Sequence, residues 1–250
     1  MLNIVIPMAG AGSRFSKAGY KNPKPLISVF GKPMIQLVID NLTPICQHQF
    51  IFICQRTHVA EYGLRNKLEA FAPGCRLIEI DGLTEGAACT VLAAQPWIDN
   101  NDQLMIANSD QYIDLNINDY LDMLNTRHLD GLIMTMTASH PKWSFAAVDA
   151  AGRVTQVAEK EPISNEATVG IYNFTRGVDY VRAAKQMIAN DERVNGEFYV
   201  APVYNQFIQA GANIGICNIG DDAGKGMFGI GTPEDLDSFI HNPTVQSWFK

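Results

Sequence analysis

An apolar run, Ile4-Val5-Ile6, gives way after Pro7-Met8 to a loop of small side chains, Ala9-Gly10-Ala11-Gly12-Ser13, followed at once by Arg14. A buried strand that ends in such a loop opens a strand–loop–helix unit whose backbone amides a ligand can approach closely. Ten residues on comes Pro23-Lys24-Pro25-Leu26. Residues 1–39 carry five basic side chains (Arg14, Lys17, Lys21, Lys24, Lys32) and no Asp or Glu, in a chain whose formal net charge is −7. Positive charge is thus concentrated beside the loop. That combination suits a polyanionic ligand, with a nucleoside triphosphate the foremost candidate.

The glycines alone decide little, because Gly-rich turns after strands are common. Gly10-Ala-Gly-Ser-Arg-Phe15 departs from the dinucleotide fingerprint, since its sixth position is Phe15 rather than Gly. It departs equally from the Walker pattern, because no Gly-Lys-Ser/Thr closes the loop. Lys24 is more telling. Pro23 and Pro25 break any helix there and hold the lysine in a narrow conformational range, so it reads as positioned rather than as part of a solvated face.

At 250 residues and 47% hydrophobic, the chain can bury a large core, as one domain or as a core with an appended lobe. Its negative charge argues against general nucleic-acid binding, which needs broad basic surface. The five cysteines (Cys46, Cys54, Cys75, Cys89, Cys217) are scattered and form no C-x-x-C pair. This favours reduced thiols in a cytoplasmic setting over disulfides or zinc. No charged segment precedes an apolar stretch at the start, and no apolar run approaches the ~20 residues of a membrane span. Neither export nor a membrane partner is expected.

Strands alternate with helices along the first half. Residues 2–7 read as a buried strand, and Pro33 suits the first turn of a helix with the face Ile35, Val38, Ile39 and Leu42. Residues 50–55 read as a second strand, with Thr57 as cap of the following helix. Residues 75–80 read as a third, followed by a helix capped by Thr84 and running through Gln95; residues 103–108 are a fourth. That order implies a mainly parallel sheet with helices on both faces. After about residue 130 closer strands follow (131–138, 144–149, 153–159, 168–174), then two helices within 176–211, and a long loop over 220–231. In such sheets ligands bind beyond the carboxyl ends of the strands. The loop at 9–14, the turn at 81–86 and Asn108-Ser109-Asp110-Gln111 are therefore expected to converge.

The strand followed by G-x-G-S/T-R-F, then P-K-P-L and G-K-P-M-I, resembles the nucleoside-diphosphate-sugar pyrophosphorylases, which join a nucleoside triphosphate to a sugar phosphate. The likeness is strong over 3–42 and 84–110 and looser over 157–174 and 195–236. It implies an α/β, Rossmann-like fold of the nucleotide-diphospho-sugar transferase type: a mainly parallel, mixed sheet. Residues 1–130 would form the nucleotide-binding half and 131–250 the acceptor-binding half of a single domain. The activity implied is release of pyrophosphate and formation of an NDP-sugar for cell-surface polysaccharide, in a chain compatible with a homo-oligomer. Related enzymes that make CMP- or CDP-linked products share the opening, so the resemblance does not fix the base, and a cytidylyltransferase acting on a non-sugar phosphate is the alternative.

Residue by residue, the resemblance makes Arg14, Lys24, Asp110 and Lys160 the catalytic set. Backbone around Ala9, Gly10, Ala11, Gly12 and Ser13 would cradle phosphate, with Glu85 and Gly86 meeting base and ribose. Glu at that point of a helix is also favoured by the dipole alone. Asp110, directly after an apolar strand, would hold Mg²⁺, which needs only one or two carboxylates beside substrate phosphates. In the second half Lys160 would grip the acceptor phosphate, Glu159 its hydroxyls, and Gly170 would let backbone pass under the acceptor, unless it marks a bulge. Glu197, in Asn195-Gly-Glu197-Phe-Tyr199, would line the same pocket.

No nucleophilic triad is needed. A sugar phosphate has a second pKa near ~6, so its oxygen is already anionic near neutrality and can attack the α-phosphorus in line. The five histidines (48, 58, 128, 140, 241) have no acid or nucleophile at motif spacing. One position departs from the family pattern. The resemblance implies a second metal-binding Asp just before Gly-Thr-Pro-Glu-Asp235, where this chain has Gly229, so either Asp222 or Asp221 from the preceding loop would substitute or the metal would lean on Asp110 and phosphates. Two further readings remain: a non-catalytic nucleotide-binding regulator, and a glycosyltransferase, against which the missing D-x-D counts.

Overall fold

The computed structural model describes residues 1–10, 12–221 and 225–249. Strand β1 (Leu2–Pro7) leads through the small-residue loop to the short helix α1 (Ser13–Lys17). A hairpin of β2 (Ser28–Val29) and β3 (Lys32–Pro33) delivers the chain to α2 (Met34–Leu42). Then come β4 (His48–Gln55), α3 (Arg56–Tyr62), α4 (Leu64–Phe71) and β5 (Arg76–Ile80). Helices α5 (Ala87–Leu92) and α6 (Gln95–Ile98) precede β6 (Gln103–Ala107), the short β7 (Gln111–Ile113) and α7 (Ile117–Thr126).

Strands β1, β4, β5 and β6 pair parallel, because each is separated from the next by a helical crossover. Their carboxyl ends therefore all open on one edge of the sheet. The second half adds β8 (Gly131–Thr137), β9 (Ser144–Val148), β10 (Val154–Glu159) and β11 (Glu166–Phe174). Strand β11 pairs antiparallel with β6, β8 and β9 and so stitches the two halves into one nine-stranded sheet. Helices α8 (Gly177–Ala189) and α9 (Tyr204–Gln209) follow, then β12 (Ile214–Asp221), parallel to β8. Strand β13 (Met227–Gly229) pairs with β7, and α10 (Pro233–His241) and α11 (Pro243–Trp248) finish the chain.

Side chains alternate across the sheet and fill two apolar layers. In β1, Leu2, Ile4 and Ile6 enter the layer that holds α2, while Val5 enters the layer under α5 and α8. Each such fully buried aliphatic side chain contributes about 1.5–3 kcal/mol. The face Ile35, Val38, Ile39 and Leu42 of α2 is buried throughout, as its spacing requires. The expected α/β architecture, a mixed and mostly parallel sheet with helices on both faces, is thus borne out.

Local details differ from the sequence reading. Pro33 sits just ahead of α2 rather than in its first turn. Thr57 is no cap, because α3 already starts at Arg56. Thr84 caps nothing either: α5 begins only at Ala87 behind Gly86, and the Thr84 hydroxyl donates instead to the Gly86 carbonyl at 3.0 Å. The helix expected through Gln95 breaks after Leu92 into α5 and α6. The long loop expected over 220–231 is partly strand, since Asp221 ends β12 and Met227–Gly229 form β13.

Candidate active site

Beyond the carboxyl ends of β1, β4 and β6 lies a cleft of about 370 Å³. Gly10 and Gly12 line it from the first loop, Lys21 and Lys24 from the following segment, and Asn108 and Asp110 from the end of β6. Gly12 adopts φ 60°, a left-handed conformation that glycine enters without steric cost. A Cβ on Gly12 would lie 3.6 Å from the Lys24 Cβ, so loop and lysine are packed together. Lys24 opens a short 3-10 turn, Lys24–Leu26, behind an extended Pro23. Its ammonium reaches Asp110, Nζ to Oδ2 2.5 Å, across 86 residues of sequence.

Asp110 is held from behind as well. Its carbonyl accepts the amide of Ile230 at 2.9 Å, and Gln111 pairs with Gly229 in the β7–β13 ribbon. Gly231 presses so closely on the Asp110 carboxylate that a Cβ there would collide with Oδ2. At Gly229 the space is open: a Cβ would meet the Asp235 carboxylate only at 3.7 Å.

The remaining residues of the first half stand apart. Arg14 and Ser13 are exposed on α1, and neither lines the cleft. Ala9 is buried, its carbonyl accepting from Gln55 at 2.6 Å; Ala11 lies outside the described residues. The turn at 81–86, expected to converge on the same ligand, contributes nothing to the lining. It is tied to the loop 191–199 instead. Glu85 pairs with Arg193 at 2.6 Å, its carbonyl accepts the Phe198 amide at 2.8 Å, and a Cβ on Gly86, φ 127°, would collide with the Phe198 backbone. The close approach expected of Gly86 is therefore made to the chain itself.

A second group of charged residues gathers where β10 ends. The carboxylate of Glu159 accepts a hydrogen bond from the Ser144 hydroxyl, and burial pushes its pKa up. Lys160 donates to the Tyr199 hydroxyl at 2.7 Å, and that bond is the main reason its pKa rises. Glu197 is exposed and close enough to act on both. Gly170, φ 78°, falls in the irregular stretch of β11 between Thr168 and Tyr172, so it marks a bulge. A Cβ there would strike the Asn108 side chain, and the Gly170 carbonyl accepts the Asn108 amide at 3.0 Å. Gly170 thereby couples the second half to the residues just before Asp110.

Asp222 lies outside the described residues. Among the described residues no three carboxylate, histidine or cysteine side chains form a group able to hold a metal. Of the predicted metal ligands that are described, Asp110 lines the cleft, whereas Asp221 ends β12 and does not. Sequence reasoning passed over His58 and Tyr62, whose rings, 6.0 Å apart on α3, also line the cleft. Their signal was their place, one turn after a parallel strand.

A family model described as nucleotidyl transferase matches residues 4–203. Among solved structures, a nucleoside-diphosphate-sugar pyrophosphorylase from Vibrio cholerae RC9 superposes with a TM-score of 0.81 at 29% identity, over 96% of this chain and 100% of that one. A UDP-glucose pyrophosphorylase complexed with UDP-glucose gives a TM-score of 0.75 at 14% identity, over 100% of this chain and 98% of that one, a likeness of fold alone. No curated protein sequence matches the chain.

Proposed function

The chain belongs to the nucleotidyl transferase family and is a nucleotidyltransferase; on that premise we propose that it joins a nucleoside triphosphate to a sugar phosphate, releasing pyrophosphate and forming a nucleoside-diphosphate sugar. The observation that carries this reading is the meeting of Lys24 and Asp110, 2.5 Å apart, in a cleft floored by a small-residue loop. In this reading residues 1–130 bind the donor and 131–250 the acceptor.

The chemistry asks for positioning and charge neutralisation more than for a general base. The acceptor phosphate, dianionic near neutrality, attacks the α-phosphorus in line; a P–O bond forms as the bond to pyrophosphate breaks. Lys24 would neutralise the triphosphate, with the amides of Gly10 and Gly12 beside it, and Arg14 and Ser13, exposed on α1 just outside the cleft lining, would join them only by turning toward the bound phosphates. Lys160 would hold the acceptor phosphate, Glu159 and Glu197 its hydroxyls. The donor set fits a magnesium ion, because one carboxylate at a phosphate-binding cleft suffices for a cation that keeps phosphate oxygens and waters as its other ligands. Asp110 would hold it, and the ion would neutralise phosphate charge.

Five free thiols support a reducing compartment such as the cytoplasm, and no helix among the described residues is long and apolar enough to cross a membrane. A role of the product in cell-surface polysaccharide rests on the family resemblance alone.

The test is a pyrophosphate-release screen of four triphosphates against sugar phosphates and small-alcohol phosphates with Mg²⁺. Release with a sugar phosphate is expected. Faster release with a non-sugar phosphate would move the reading to the cytidylyltransferase type, and triphosphate binding without release under any pairing would overturn it.

A further inference from the structure

Lys160 is an unusual residue for the place it occupies. It follows the last residue of β10 with φ 57°, in the left-handed region that side chains other than glycine enter at a cost. Its amide donates to the Trp143 carbonyl at 2.9 Å, which fixes this conformation. The side chain then meets Tyr199: Nζ donates to the phenol oxygen at 2.7 Å and lies 4.8 Å from the ring centroid. Two carboxylates, Glu159 and Glu197, stand near enough to act on the same ammonium. Neither is its hydrogen-bond partner among the described contacts; the neutral phenol is.

That choice has a chemical consequence. An ammonium paired with a carboxylate is already neutralised, and a phosphate must compete for it. An ammonium held by a phenol oxygen and a ring face keeps its charge for an incoming anion. Tyr199 is itself anchored, since the preceding Phe198 exchanges backbone hydrogen bonds with Glu85 and Ala88 at 2.8 and 3.0 Å. We propose that Tyr199 is a positioning residue: it holds the Lys160 ammonium, hydrogen-bonded to neither neighbouring carboxylate, where the acceptor phosphate arrives, and keeps it off Glu159 and Glu197. The proposal rests on the assignment of Lys160 to the acceptor.

The experiment is a double-mutant cycle over Tyr199→Phe and Lys160→Ala. The probe is inorganic phosphate, titrated calorimetrically into enzyme saturated with a non-hydrolysable α,β-methylene triphosphate, alongside the acceptor KM in the release assay. Tyr199→Phe keeps the ring and loses the oxygen. It should weaken phosphate binding and raise the acceptor KM about tenfold, the scale of one hydrogen bond to a charged group. The triphosphate affinity should stay unchanged and kcat should move less than KM. In the Lys160→Ala background the same substitution should have no further effect, because its action passes through the lysine. An undiminished effect in that background would overturn the positioning role, as would phosphate binding untouched by Tyr199→Phe while Lys160→Ala weakens it. If Lys160→Ala itself left phosphate binding intact, the acceptor reading of Lys160 would fall instead.

Discussion

Lys24 and Asp110 keep only 21% and 29% of their side chains exposed, so their attraction is screened less than that of a surface pair. Replacing Lys24 with Ala removes a cation aimed at the cleft, and turnover should fall about 10²–10³-fold, the range for losing a preorganised charge-stabilising donor. The residue lies in a short turn outside the apolar layers, so the melting temperature should stay close to that of the parent. Pyrophosphate release and thermal melts check both statements, and near-normal turnover would remove Lys24 from the site. Glu159 makes a different prediction. Burial raises its pKa, by more than the Ser144 hydrogen bond and the Lys160 charge lower it. The folded protein therefore holds that proton more tightly than the unfolded chain. The stability this group contributes is complete below the ordinary carboxylate value and is lost as pH rises through the raised one. Glu159→Gln removes the ionisation, so its melting temperature relative to the parent should climb from about pH 4 upward and then level off. A difference that does not change with pH would show that Glu159 carries no such burden.

The ribbon of β7 and β13 makes the sharpest prediction among the elements, because Gly229 at its end and Gly231 just beyond it have opposite surroundings. Gly231→Ala would push its methyl into the Asp110 carboxylate, the movable end of a side chain, so the carboxylate must leave Lys24 while the fold survives. Gly229→Ala meets only ordinary contact with Asp235. The first variant should lose most of its turnover with little change in melting temperature, whereas the second should keep both. Equal loss in the two would mean that Asp110 is not placed by this ribbon. Part of this site was legible in the sequence, for a local reason. The strand Leu2–Pro7, its small-residue loop and the proline-bracketed Lys24 are set by neighbouring residues, and so is the buried face of α2. What could not be read depends on distant partners. Sequence shows that residue 86 is glycine, but not that Phe198 lies against it; it shows Gly170, but not Asn108 beneath it. Thr57 failed as a cap because α3 starts one residue ahead of it, and Thr84 failed because the start of α5 is set by the contact of Gly86 and Ala88 with Phe198, which overrides a local preference. The parallel pairing of β12 with β8, and the ribbon that brings Gly231 to Asp110, join segments too far apart for periodicity to reveal.

Across the whole molecule, the two halves are joined by the β11–β6 pairing and again at Gly86, where the turn after β5 is locked to the loop carrying Phe198 and Tyr199. Gly86→Ala combines an unfavourable φ with a collision against backbone, which cannot swing away. It should cost more than about 2 kcal/mol in chemical denaturation. A cost near zero would show that this junction is loose. The Lys24–Asp110 pair has a last consequence, for the order in which ligands arrive. If Asp110 holds the metal and Lys24 the triphosphate, as proposed, a divalent ion coming alone would meet a carboxylate already claimed by an ammonium, and a metal-free triphosphate would meet a lysine claimed by a carboxylate. Together the two ligands would give each member of the pair a new partner. The pair would then act as a coincidence detector, and each ligand should raise the affinity for the other by the same factor. Mn²⁺ titrations followed by electron paramagnetic resonance, with and without triphosphate, would measure that factor. In Lys24→Met the lone ion should bind more tightly than in the parent and the mutual enhancement should shrink, whereas an unchanged factor would mean that the pair guards nothing.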